Sequence, residues 1–433
     1  MHLYDTLSRL SFSRPSGTPE EARAAELLSG EISALGFHPV TEPFSYERRV
    51  PVRAEIRVTG ADGNEVSFPV TGVIDSAETP PEGITAGFYY LKSIDDVSLT
   101  RIQGKIVLIH DRLSEQEYSK LRKAGIAGYI TTSGTVRDTE ETSDLETVRF
   151  RYNLQDIGPV PAFTIRMTDA VKLLRLKPVR IQAVLLLEKE TVRSRNVSVL
   201  VPGREIPDET IVVGAHYDSV PFSLGSWDNG AGAVEMLSLL EYLRDNPPRR
   251  NIRVVLFGSE ETGLMGSRAF TQAHEEELAR TLAMVNVDVG GSILGKEIIF
   301  VTAEEEAEAW ARFFLKETGY EAVTTRRIMS SDSAVFSDRG IPSISMGQGA
   351  PRGGGYMHTR YDNMDLISED VLQSEAQFLA ALVSRLAEAS IFPFRRNIPE
   401  DLRRELSGYF GQSVSKLAEF PPLPESKPLP FRF

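Results

Sequence analysis

Two kinds of hydrophobic periodicity alternate along this chain of 433 residues. Residues 18–35 (TPEEARAAELLSGEISAL) carry apolar positions at helical spacing. Thr18 is placed to cap them, acidic residues fill the first turn and Gly36 follows the end. From about 37 to 70 the period drops to two, in short runs such as VRAEIRVTG and VSFPVTGV broken by Asp-Gly and Gly turns. GKIVLIHD at 104–111 predicts a strand, SEQEYSKLRKAGIAG a helix, and YITT and PAFTIR (161–166) further strands, with a helix at 168–175 and a strand near 181–188. This β-rich block with two small helices reads as a unit of its own over 52–190.

After EKETVRSRN the style changes. Strands VSVLVPG and TIVVGAH precede a helix at 230–244, strand NIRVVLFGSE, a helix at 266–279 and strand LAMVNVDVG. Strand EIIFVT, a helix at 303–318, strand IPSISMG and an amphipathic helix at 368–389 follow, the last with Val371, Leu372, Leu379, Leu382, Val383 and Leu386 on one side. Strands alternating with helices predict an α/β fold, a mixed sheet with helices on both faces, whose ligands bind beyond the carboxyl ends of the strands. The organisation expected is a main domain formed by 1–51 and 191–390, an inserted β-rich domain at 52–190, and a proline-rich C-terminal extension at 391–433.

Composition narrows the function. Hydrophobic residues at 41% and charged residues at 25% suit a soluble globular protein and exclude collagen-like or disordered chains. With 48 basic against 61 acidic residues the formal charge is -13, the wrong sign for a nucleic-acid partner or an anionic membrane surface. No run of about 18 apolar residues predicts a membrane span, and MHLYDTLSRLSFSRPSGTPEE has no signal-peptide core, so a cytoplasmic location is expected. The absence of cysteine excludes disulfides, thiolate nucleophiles and cysteine-held zinc. Any metal must therefore rest on His, Asp and Glu.

Four predicted strand ends carry such residues: GAHYDSVPFSLGSWDNGAG with His216, Asp218 and Asp228, LFGSEETGLMGS with Glu260 and Glu261, VNVDVGG with Asp288, and GGGYMHTRYDNMD with His358. Singly each has a bland reading: a polar strand end, a solvated acidic pair, a turn-forming Asp. Together they share one edge of one sheet, which also holds two of the chain's six histidines. The remaining four, His2, His38, His110 and His274, read as bystanders. Two divalent cations about 3.5–4 Å apart clamp the attacking and leaving oxygens of a hydrolysis. Such a pair needs a bridging carboxylate and further terminal ligands. Asp228 as bridge, His216 and Asp288 on one ion, and Glu261 and His358 on the other supply that set. Asp218, two residues from His216 on an extended strand, points the same way and can fix the imidazole tautomer. Glu260 remains as general base.

The HYD…WDNGAG, SEE, NVD and H-T segments resemble the co-catalytic di-zinc exopeptidases, metallopeptidase family twenty-eight, over roughly 190–390 and the N-terminal helix. The GKIVLI…KAGIAGYI…PAFTI run resembles the protease-associated (PA) domain inserted in many members. The resemblance implies a cis peptide between Asp228 and Asn229, two Zn2+ with Mn2+ or Co2+ as possible substitutes, and a peptide substrate. Trp227 stands where a small or acidic residue is usual. Met357 occupies the place of a tyrosine that some members use as oxyanion stabiliser, with Tyr356 and Tyr361 nearby. Arg352 joins these as a candidate substrate contact. Ser333 in SSDSAVF replaces a frequent histidine, with Asp332 beside it. The reading favours an aminopeptidase in which the metals activate water and Glu260 takes its proton. A carboxypeptidase, for which Arg326, Arg327, Arg352 and Arg360 are candidate carboxylate anchors, is the alternative. A glutaminyl cyclase or a receptor-like binding module is a more distant one.

Overall fold

The computed structural model describes residues 2–110, 113–135, 138–350 and 357–411. The chain divides into two compact units, one built from Met1–Ser45 and Arg193–Ser407 and the other around Tyr46–Val192.

In the first unit the sheet order is Val323–Thr325, Lys296–Thr302, Ser343–Gly349, Thr281–Val287, Ile206–His216, Arg250–Phe257 and the far end of Arg180–Val201. Its middle is parallel, from Ser343–Gly349 through Thr281–Val287 and Ile206–His216 to Arg250–Phe257. Lys296–Thr302 and Arg180–Val201 flank that core antiparallel. Along the His216 strand Ile211, Val213 and Ala215 enter a core shared with the helices Leu3–Leu10, Ala231–Asp245 and Glu369–Glu388. Val212 faces the other way, onto Phe257, Phe270, Met284 and Phe336. Cover on both faces explains why these strands are continuous apolar runs without alternation.

Helix ends follow local chemistry. The Thr18 hydroxyl accepts the Glu21 N–H at 3.2 Å and opens the helix Pro19–Ala34. Ser368 caps Glu369–Glu388 in the same way. The single helix expected at 266–279 is instead two, Met265–Ala273 and Glu275–Leu278. They break at His274, whose ring stacks on Phe270 and bonds Glu42 at 2.7 Å. Helices Leu3–Leu10, Asp332–Asp338 and Glu400–Phe410 were not read from the sequence. The last lies within the proline-rich extension, which from 412 onward is outside the described residues.

In the second unit, Ile84–Tyr90, Lys105–Leu108, Gly128–Ser133, Ala162–Arg166 and Val70–Gly72 follow one another in the sheet after the near end of Arg180–Val201. Ile106 and Leu108 pack on one side and Val107 on the other. One 20-residue strand, Val40–Thr59, runs through residue 52, where the insertion was expected to begin. The division falls at Ser45 and Tyr46. Among the described residues no helix is long and apolar enough to cross a membrane.

Candidate metal centre

The parallel strands deliver their ends to one place. Phe257 pairs with His216, Asn286 with Gly214 and Val287 with Met346. The turns after Phe257 and Val287, carrying Glu260, Glu261 and Asp288, therefore open beside His216. Asp228 arrives on the segment Ser226–Gly230, just before the helix Ala231–Asp245. Its peptide bond to Asn229 is cis. The Asn229 side chain holds this segment to the sheet, donating from Nδ2 to the Val287 carbonyl at 2.8 Å and accepting the Gly232 N–H at 3.1 Å. Ser259, Val289 and His358 have φ of 55°, 71° and 60°. This sparsely populated region is costly above all for a β-branched valine, and such residues cluster where function fixes the backbone.

Asp228 stands between the two imidazoles. Its Oδ1 is 3.1 Å from His216 Nε2, and its Oδ2 is 3.2 Å from His358 Nε2. His216 Nε2 also lies 3.3 Å from Asp288 Oδ1, and His358 Nε2 lies 3.1 Å from Glu261 Oε2. Donors around a tetrahedral ion with bonds of about 2.1 Å stand about 3.4 Å apart, close to the distances from each imidazole nitrogen to its two carboxylates. Among the described residues three groups could hold a metal: His216, Asp228 and Asp288; Asp228, Glu261 and His358; and His216, Glu260 and Glu261. Glu261 Oε1 is buried without a hydrogen-bond partner among the described residues, as expected of an oxygen reserved for a cation.

Asp218 does more than face His216. One of its oxygens is 3.4 Å from His216 Nδ1 and accepts the Glu260 N–H at 2.9 Å. The other accepts the Glu261 N–H at 3.2 Å and the Ser16 hydroxyl at 3.0 Å. Burial alone would lower the His216 pKa, but Asp288 and Glu260 outweigh it and hold the pKa well above the usual value. His358 is raised in the same way, by Glu261 and Asp228 against its burial. Burial, opposed by His216 and reinforced by Glu261, Asp288 and Asp332, raises Glu260 well above the carboxylate range. Asp332, also buried, is pushed up to about 7. So many carboxylates around two imidazoles make a site that a divalent cation would neutralise.

Several supporting residues carried no signal in the sequence reading. Arg14 is fully buried and donates to the carbonyls of Leu10, Phe12, Tyr217, Leu224 and Gly225, tying the N-terminal segment to the loop after His216. Its burial lowers its pKa to about 10. Asp362 accepts the Trp227 and Asp228 N–H groups at 2.7 and 3.1 Å, and burial raises its pKa to about 7. Trp227, a candidate for the substrate pocket, is buried, with Nε1 donating to Gln348 Oε1 at 3.0 Å. The Ser292 N–H bonds the same amide oxygen at 2.9 Å. Met357 and Tyr361 are exposed on either side of His358. Tyr356 and Arg352 lie outside the described residues.

Residues 196–383 match the model of peptidase family M28. Aminopeptidase YwaD of Bacillus subtilis (strain 168) is 28% identical, covering 94% of this chain and 89% of that protein. Carboxypeptidase Q of Homo sapiens is 26% identical, covering 64% of this chain and 61% of that protein. The solved structure of BSAP, a zinc aminopeptidase from Bacillus subtilis, superposes with a TM-score of 0.70 at 25% identity, covering 93% of this chain and 98% of that one.

Proposed function

We infer, from the match of residues 196–383 to the model of peptidase family M28 and the likeness to zinc aminopeptidases over most of the chain, that this protein is a zinc aminopeptidase removing N-terminal residues from peptides. The observation that carries the reading is Asp228, with one carboxylate oxygen on each of two imidazoles and a further carboxylate beside each imidazole. We assign His216 and Asp288 to one Zn2+, His358 and Glu261 to a second, and Asp228 to both. Mn2+ or Co2+ can substitute on such nitrogen and oxygen donors. Bound there, the metals supply Lewis acidity that polarises the scissile carbonyl and makes water nucleophilic near neutral pH.

The chain's own residues move the proton and hold the geometry. Glu260 takes the proton of the attacking water and returns it to the leaving amine. Asp218 fixes His216 and, through the two N–H groups it accepts, sets the turn that carries Glu260 and Glu261. The acidic surroundings of the centre suit a substrate ammonium. A carboxypeptidase would instead need free cations for the terminal carboxylate, and Arg326 is already committed to Asp401 and the Ala303 carbonyl. The unit 46–192 we read as a protease-associated domain, on the strength of its GKIVLI, KAGIAGYI and PAFTI elements.

Peptides blocked at one end or the other test the reading. The zinc-loaded protein is expected to cleave C-terminally amidated peptides and to spare N-acetylated ones. The reverse pattern makes it a carboxypeptidase.

A further inference from the structure

We propose that Glu21, on the N-terminal helix, is a positioning residue for the turn bearing Glu260 and Glu261, acting through the hydroxyl of Ser259. The proposal deepens the aminopeptidase reading and rests on it for the tasks of those two glutamates.

Glu21 is the third residue of the helix Pro19–Ala34 and is 2% exposed. Its Oε2 accepts the N–H of Gly17, the residue before the cap Thr18, at 2.6 Å. Oε1 accepts two hydroxyls that capping does not require, Ser194 at 2.8 Å and Ser259 at 2.9 Å. Ser194 lies on the strand Arg180–Val201. Ser259 immediately precedes Glu260 and holds φ at 55°, a conformation that a non-glycine residue keeps only when its surroundings enforce it. The bond to Glu21 is such an enforcement.

The turn is thereby gripped from two directions. Asp218 accepts the N–H groups of Glu260 and Glu261, and Glu21 anchors the residue before them. One short N-terminal segment reaches both grips, because Ser16 donates to Asp218 at 3.0 Å while Glu21 stands five residues further on. Misplacing a catalytic group by about 1 Å can cost on the order of a hundredfold in rate. A buried carboxylate spent on a serine next to the proton carrier therefore has a function that helix stability does not explain.

The test compares Glu21→Ala, Ser259→Ala, the double variant and Glu21→Gln, at a temperature well below unfolding. Readouts are kcat, KM, thermal midpoint and zinc affinity from chelator competition. Loss of an outer partner of this kind typically costs about 10–100-fold in activity or metal affinity. Glu21→Ala and Ser259→Ala are each expected to lower kcat by that order with KM little changed. Both should weaken zinc binding, because Glu261 rides on the same turn. The double variant should be no worse than either single one, since the two groups act through one bond. Glu21→Gln keeps an acceptor oxygen for the serine and should recover most of the loss. Unchanged kcat and zinc affinity with only a lower thermal midpoint, or additive losses in the double variant, overturn the proposal. If Glu21→Ala does not fold, Ser259→Ala removes the same bond and decides alone. If the wild-type protein cleaves no N-terminal residue, the aminopeptidase reading fails, while the zinc affinities still decide the role of Glu21.

Discussion

Glu260 and Glu261 are chain neighbours to which we assign different tasks. Glu261 reaches His358 at 3.1 Å, whereas Glu260, whose pKa is raised above all by burial, has His216, Glu261, Asp288 and Asp332 as its charged neighbours. Glu260→Gln is expected to retain both zinc ions and lose about 10²–10⁴-fold in kcat, the usual contribution of a general base. Glu261→Ala should give up one ion and activity with it. Zinc content measured beside turnover checks both, and the opposite pattern exchanges their roles. Asp218→Ala should cost about 10–100-fold in zinc affinity or activity, and full activity at normal zinc content would make Asp218 a bystander. His216, Glu260, Glu261 and Asp288 were legible because they stand at or just after the end of an apolar strand, and Asp228 and His358 because of the motifs that surround them. Arg14, Ser16, Glu21 and Asp362 were not. Their partners lie far away in the chain, as Arg14 does from Tyr217 at a separation of 203 positions, and before folding they look like any solvated polar side chain.

Elements explain how closely these residues can be brought together. The helix Ala231–Asp245 opens on Ala231, Gly232 and Ala233, and a Cβ at Gly232 would meet Asn229 Oδ1 at 2.4 Å and the Val287 carbonyl at 2.9 Å. Gly232→Ala must therefore displace the amide that holds the Asp228 segment. Overpacking of this kind costs about 1–3 kcal/mol, and chemical denaturation should show that loss together with reduced activity. Wild-type stability in Gly232→Ala would contradict it. On the same helix Glu235 is fully buried, and burial, with Glu297 nearby, pushes its pKa from 4.5 up to about 8. A carboxyl whose pKa rises on folding contributes stability that is complete below its unfolded value and is lost as pH climbs through the folded one. Wild-type thermal stability should thus decline between about pH 5 and 8 in a way that Glu235→Gln does not. Parallel curves would dismiss this role for Glu235. Long, doubly covered strands were readable from sequence, while Asp332–Asp338, at 7 residues, is too short to show a period. The break at His274 depends in part on Glu42, which no local window contains.

At the scale of the whole molecule, the parallel core of the first unit turns residues scattered from 216 to 358 into one centre. The mixed α/β architecture was legible because strands and helices alternate after residue 190. The division between units was less so, because Val40–Thr59 is a single strand running past it, and periodicity carries no mark where one core ends and another begins. A cation held by residues from so many elements links them, so zinc should raise the thermal midpoint and chelation lower it. The central claim is that Asp228 is shared between two ions. Anomalous scattering at the zinc edge from a zinc-loaded crystal measures this directly. Two peaks about 3.5–4 Å apart, the spacing of a co-catalytic pair, are expected, with one Asp228 oxygen on each. A single peak at saturating zinc, or two peaks with Asp228 bound to neither, would contradict it.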